Sequence, residues 1–363
     1  MIAHTRIVAR LPNWLGDVVM ALPALDAVRR QFPEATLAAA APAPLAPLLQ
    51  AVPGVDETVP LAAATGLERV RRDAEALRAG RFDLAVLFTN SFGSALAVKR
   101  AGIPERWGYR RDARGWLLTR RVPRRAGRHD GRARHHSNHY RRLVEALGAP
   151  RADGEVRLRV PGAWTDRAAQ LLADRGVDPA RPLVGIAPGA AYGAAKRWPP
   201  SFVARLIESL ADGSDATVVL VGAPADRETG HEIESSFRAP WRDALHGVPA
   251  PGSRAGTVRV VNAIGATDLP TLAGLLSRSH AFVSNDSGAM HLAAAVGTHV
   301  IALFGPTDEV ATAPLGPHTI VVRDVFCRPC LLRECPIDHR CMKRITPEAV
   351  HDLVVRQLQE HGR

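Results

Sequence analysis

Aromatic residues are scarce in this chain, at 5% of 363 positions, and the apolar content is carried by alanine, valine and leucine. That balance disfavours an all-β core and suits helices packed on parallel sheets. No apolar run approaches the ~20 residues that a membrane-spanning helix needs. The strand-length run Ile7–Leu11 is broken by Trp14, Gly16 and Asp17 and has no signal-peptide pattern, so a soluble cytoplasmic protein is expected. The four cysteines all fall between Cys327 and Cys341, which excludes the disulfide framework of a small secreted domain. No segment carries the three-glycine dinucleotide fingerprint, and none places glycine directly before a lysine as a P-loop does. No Asp-x-Asp pair occurs, which removes a common device for holding a metal on a diphosphate. RNA-recognition and helix-turn-helix signatures are also missing.

Acidic residues are outnumbered, 36 against 47 basic, for a net charge of +11. Nearly all of that surplus lies in 104–142, which holds 13 arginines, no lysine and three acidic residues. A solvated basic loop is one reading. A docking surface for a polyanion is the other, since the guanidinium fork suits phosphate. Nucleic acid, phosphorylated sugar and anionic lipid are the candidate partners, and a nucleic-acid-binding protein remains the remote alternative.

Short buried runs alternate with helical periodicity along the chain. Strands are expected at Thr5–Leu11, Thr36–Ala41, Leu84–Phe88, Leu183–Ala187, Thr217–Val221, Val258–Val261, Ala281–Ser284 and His299–Phe304. Helices are expected at Gly16–Gln31, Glu68–Arg78, Ser91–Arg100, His139–Leu147, Thr165–Arg175, Phe202–Ala211, Leu269–Ser277, Met290–Val296 and Pro347–Gln359. The alternation restarts once, which implies two doubly wound α/β domains. They are expected at 1–165, containing the basic segment 104–142, and at 166–345, followed by a C-terminal helix in 346–363.

Asn285, Asp286, Ser287 and Gly288 read as a strand end running into a helix start, the place where open α/β sheets receive phosphate on backbone amides. His291 follows one turn later and is a candidate phosphate contact. A second such turn, Ala187–Pro199, brings small residues, among them Gly189, Ala190 and Tyr192, together with Lys196 and Arg197. There the lysine and the helix amides can neutralise a leaving diphosphate without a metal. Asp226 ends another strand in this half and is a candidate for a ribose diol. In the first half, Asp17 stands at a helix start after Leu11–Gly16, where a carboxylate can accept the proton of an attacking hydroxyl. Thr89–Asn90–Ser91 forms a further strand-to-helix turn beside the basic segment. The cysteines read C-x2-C-x4-C-x5-C. A four-thiolate zinc site at Cys327, Cys330, Cys335 and Cys341 and free thiols packing a compact loop are both open.

Four segments in order, Asn13–Leu25, Asn90–Arg110, Pro188–Pro199 and Asn285–Asp308, resemble the ADP-heptose:lipopolysaccharide heptosyltransferases of glycosyltransferase family 9. Asn90–Arg110 and Pro188–Pro199 are similar to its type II branch, although Ala191 stands where type II members often carry glutamate. The resemblance implies the GT-B architecture, two Rossmann-like doubly wound domains facing a cleft, and an inverting transfer of heptose from ADP-heptose to the heptose-primed inner core on Kdo–lipid A. Type I or another core heptosyltransferase is the alternative. It further implies Asp17 as catalytic base and donor contacts at Lys196, Asp286, Ser287, Gly288 and His291; Gly189, Ala190, Tyr192 and Asp226, read from their own turns, complete the expected donor site. The phosphorylated acceptor would meet Asn90, Ser91, Arg106, Arg110 and Arg120. No cofactor is implied, nor any catalytic metal. A monomer in peripheral contact with the cytoplasmic face of the inner membrane, binding no nucleic acid, is expected.

Overall fold

The computed structural model describes residues 4–123, 135–153, 155, 157–237 and 260–361. The chain divides into two compact units, 1–159 and 160–363. Arg124, Arg125, Arg128, Arg132 and Arg134 of the basic segment lie outside the described residues, as does Val258 of one expected strand.

The first unit is built on a six-stranded parallel sheet of β1 (Arg6–Arg10), β2 (Thr36–Pro42), β3 (Glu57–Leu61), β4 (Leu84–Leu87), β5 (Glu105–Arg110) and β6 (Arg120–Pro123), in the order β3-β2-β1-β4-β5-β6. Its helices are α1 (Leu15–Gln31), α2 (Gly66–Ala79), α3 (Phe92–Arg100) and α4 (Ser137–Ala146). β1, β2 and β4 are buried on both faces, which is why they read as unbroken apolar runs.

The second unit repeats the pattern with β7 (Leu183–Ala187), β8 (Thr217–Leu220), β9 (Val260–Asn262), β10 (Ala281–Asn285), β11 (Val300–Phe304) and β12 (His318–Val322), ordered β12-β11-β10-β7-β8-β9. Its helices are α5 (Gly162–Ala173), α6 (Pro200–Gly213), α7 (Arg227–Ser236), α8 (Leu269–Ser277), α9 (Gly288–Ala295), the single turns α10 (Glu309–Thr312) and α11 (Arg340–Lys343), and α12 (Pro347–His361). The terminal helix belongs to this unit: Val350 and Val354 are fully buried in one cluster with Leu206, Leu210, Ile301 and Met342.

Counted within each unit, the strand order is the same doubly wound one, and it reverses between β1 and β4 and again between β7 and β10. Such reversals open a crevice beyond the carboxyl ends of the two strands, because their connections leave on opposite faces of the sheet. The turns that follow these four strands hold Asp17, Asn90, Lys196 and Asp286.

Elements that no apolar pattern announced are also present. β3, β6 and β12 are edge strands, and β3 carries Pro60, which only an edge accommodates easily. β5 and β6 run through the arginine-rich segment, so part of that segment is sheet: Trp107 and Tyr109 are buried in β5. α7 is polar over most of its length and contains Gly230, which hid its period.

Candidate active site

In the first unit, Asp17 lies in the opening turn of α1, half-buried. Negative charge is favoured there by the unpaired amides of the helix start. Its Oδ1 accepts a hydrogen bond of 3.1 Å from the hydroxyl of Tyr140 on α4. The turn before it is clamped by Arg10, a buried side chain that donates to the carbonyl of Leu11 and, at 2.7 Å, to Asn13 Oδ1. Burial pulls the Arg10 guanidinium down to about 10, with Asp73 opposing, so it is cationic at neutral pH.

Beyond β4, Ser91 caps α3 by accepting from the Ser94 amide at 3.3 Å, and Asn90 Nδ2 lies 3.0 Å from His139 Nε2. This turn rests on Arg114, which is completely buried. Arg114 donates to Thr89 O at 2.6 Å and Tyr109 O at 3.1 Å, with longer contacts of 3.5 Å to Ser91 O and Asn90 Oδ1. Burial lowers its guanidinium to about 10, partly offset by Asp112.

The three arginines expected at the acceptor are not equivalent. Arg106 spends its guanidinium on the carbonyls of Ile103, Pro104 and Leu117, each at 2.7 Å, and so ties β5 to neighbouring loops. Arg120 is exposed and lies over the Trp107 ring at 4.9 Å. Arg110 is exposed too and lines, with Arg111, Arg121 and Trp116, a cavity of about 300 Å³. Trp116 is 60% exposed, with Lys99 Nζ 4.5 Å from its ring centre.

In the second unit, the turns after β7 and β10 are joined by Asn285. This buried amide donates to Pro188 O at 2.7 Å and accepts from the Trp198 amide at 3.2 Å, holding both ends of the loop that carries Lys196. Lys196 Nζ meets Asp286 Oδ2 at 2.6 Å, and Thr307 Oγ1 donates to the same oxygen at 2.7 Å. A second N–H of the ammonium reaches the Asp286 carbonyl at 3.4 Å, which leaves one for a further acceptor. Ser287 precedes α9 in extended conformation, its hydroxyl 3.1 Å from that of Ser284, and Gly288 is the first helical residue. The α9 amides are therefore directed out of the helix start beside the Lys196–Asp286 pair. His291 is buried one turn into α9.

The small residues of the Lys196 loop make room for the protein itself. A Cβ on Gly189 would lie 2.3 Å from the Asp226 carboxylate, and one on Gly193 would lie 2.4 Å from Arg333 O. Asp226 uses that space to accept the Ala223 amide at 2.9 Å, a local capping role. Ala190 is buried behind the loop, and Tyr192 is 39% exposed. The Tyr192 hydroxyl donates to Leu331 O at 2.7 Å, and its ring lies between Lys196 Nζ at 4.6 Å and Arg333 Cζ at 5.5 Å. His339 Nε2 is 2.7 Å from Ala195 O. The cysteine-rich segment thus braces the Lys196 loop. None of its four cysteines is in a disulfide, and among the described residues no three His, Cys, Asp or Glu gather as a metal-binding group. Burial pushes the Cys341 thiol up.

Tyr140, Arg114 and Thr307 are the residues around these turns that sequence reasoning missed. Asn285 was read there as part of the turn before α9, but its bonds to Pro188 and Trp198 carry no local signal.

Each of the two doubly wound units carries polar side chains at its topological switch point, Asp17 and Asn90 in the first and a lysine beside a helix N-terminus in the second, an arrangement that suits a group-transfer enzyme of the nucleotide-sugar type. The profile of Glycosyltransferase family 9 (heptosyltransferase) matches residues 70–340, and the chain belongs to that family. It is 32% identical over 327 residues to lipopolysaccharide heptosyltransferase 2 of Salmonella typhimurium, covering 86% of each chain. Identity to the Escherichia coli enzyme of the same name is 32% over 323 residues, again with 86% of each chain. The solved structure of E. coli ADP-heptose lps heptosyltransferase II superposes with a TM-score of 0.79 at 28% identity, over 99% of this chain and 100% of that one.

Proposed function

We propose that this glycosyltransferase moves an L-glycero-D-manno-heptosyl group from ADP-heptose to the heptose-primed inner core of lipopolysaccharide, with inversion at the anomeric carbon. The observation that carries the reading is the pairing of Lys196 with Asp286 at the start of α9, where a diphosphate finds an ammonium and a set of helix amides together. Likeness to the type 2 relatives favours the second heptose over the first, so the type I reading ranks below it.

In this mechanism the acceptor hydroxyl oxygen forms a bond to the anomeric carbon as the bond from that carbon to the diphosphate oxygen breaks. ADP departs with the bonding electron pair, and the hydroxyl proton passes to the Asp17 carboxylate. Lys196 and the amides of Ser287 and Gly288 take up the charge that develops on the diphosphate, so the reaction needs no divalent cation. Arg110 and the neighbouring arginine-lined cavity receive anionic groups of the acceptor. With Trp116 exposed beside them, the same surface suits the cytoplasmic face of an anionic membrane, where the acceptor resides.

ADP release from ADP-heptose is measured in EDTA, with Kdo–lipid A carrying no heptose or one. Release only with the primed acceptor is the expected result. Release with the unprimed acceptor moves the assignment to type I, and loss of release in EDTA overturns the metal-independent step. Asp17→Ala is expected to lower transfer about 10³-fold and to leave ADP binding intact.

A further inference from the structure

Tyr140 has no part in the mechanism above, yet it is the residue that touches Asp17. It lies on α4, which packs along α1, and it is 7% exposed. Its ring is set between Phe88, 6.0 Å away at the end of β4, and His139, 5.4 Å away and nearly perpendicular. The hydroxyl reaches Asp17 Oδ1 at 3.1 Å, and among the described residues no other hydrogen bond is made to that carboxylate. Burial, with Asp17 adding to it, raises the phenol well above the ordinary tyrosine range. The hydroxyl therefore stays protonated throughout the range in which an enzyme works and is a standing donor to the carboxylate.

We propose that Tyr140 is a positioning residue for the transfer reaction: its hydroxyl holds Asp17 by Oδ1 and leaves Oδ2 to receive the proton of the acceptor hydroxyl. An aspartate in the first turn of a helix has a short side chain with several accessible rotamers. A base free to rotate meets the reacting hydroxyl in only a fraction of encounters. A buried aromatic ring with one polar tip is well suited to select a single rotamer, because the ring is fixed by packing before the hydrogen bond forms. The same helix turn also carries His139, whose ring meets Asn90 on the turn after β4. One element thus touches both turns at the switch point of the first unit, and the placement of the base is tied to the placement of the acceptor-side turn.

The inference rests on the reading of Asp17 as the base, and the experiment separates the two. The full-length chain is assayed as Tyr140→Phe, which keeps the ring, beside Tyr109→Phe as a control. The control loses a hydroxyl that donates to His139 O at 2.9 Å on the same helix but does not reach Asp17. The expected result for Tyr140→Phe is a fall in kcat of about tenfold, with acceptor KM, ADP affinity and melting temperature within the range of the control. A kcat within twofold of the parent overturns the proposal. So does a fall in kcat shared equally by the two variants and matched by equal losses in melting temperature, which marks a structural role. If Asp17→Ala keeps its transfer activity, the base assignment itself fails. If Asp17→Ala is inactive while Tyr140→Phe is not, only the role of Tyr140 fails.

Discussion

Lys196 Nζ and Asp286 Oδ2 lie 2.6 Å apart, although 90 residues separate them in the chain, and neither side chain is more than 12% exposed. The pair closes the switch point of the second unit, one partner from the turn after β7 and the other from the turn after β10. Asp286 also accepts from Thr307, so the acid has a partner besides the lysine.

Lys196→Met is expected to leave Asp286 as a buried charge without its cation. A loss of about 3 kcal/mol in the stability of the second unit follows, together with a donor KM raised more than tenfold. Adding Asp286→Asn to Lys196→Met removes the orphaned charge. It should restore most of the stability and none of the donor affinity. Denaturant unfolding and ADP titration of the single and double variants check both halves.

Arg114 supports the turn that carries Asn90 by donating to Thr89 O and Tyr109 O from a fully buried position. Lysine keeps the charge but lacks the planar fork that reaches both carbonyls. Arg114→Lys is therefore expected to cost about 2–4 kcal/mol, since buried carbonyls are left without donors. Acceptor KM should rise while ADP affinity, assigned under the proposed mechanism to the second unit, stays unchanged. Urea unfolding and steady-state kinetics with each substrate varied test this.

Gly193 lets the loop of Lys196 approach the cysteine-rich segment, whose Arg333 O also accepts the Ala195 amide at 2.9 Å. Gly193→Ala forces these two backbones apart, at a cost of about 1–3 kcal/mol. Faster proteolytic cleavage within 326–337 and weaker ADP binding are the expected signs. Unchanged cleavage and unchanged binding would show that the segment does not brace the Lys196 loop.

The fold was legible because its central strands are buried on both faces. β1, β4, β7, β10 and β11 appear as apolar runs ending in turn residues, and those turns hold Asp17, Asn90, Lys196 and Asp286. Glycines beside Lys196 pointed to a close approach, yet only the structure shows that Asp226 and Arg333 occupy that space. The arginine-rich segment had the least transparent pattern. Composition marks it as a block of charge, whereas β5, β6 and Arg114 turn part of it into sheet and buried support, and Arg106 into a clasp for carbonyls.

What the sequence by itself determined is local: which runs are apolar enough to be buried, where chain direction reverses, and which turns carry charge or small residues. Those properties follow from side-chain hydrophobicity and backbone preference within a few residues. Only the tertiary structure decided which distant groups meet. Strand order brings the turns after β7 and β10 side by side, so Lys196 finds Asp286, and the packing of α4 on α1 puts the Tyr140 hydroxyl against Asp17. Edge strands were decided at that level as well. Half-exposed chain such as β3 or β12 is held by pairing with a neighbour already in place, and its own residues carry little record of it.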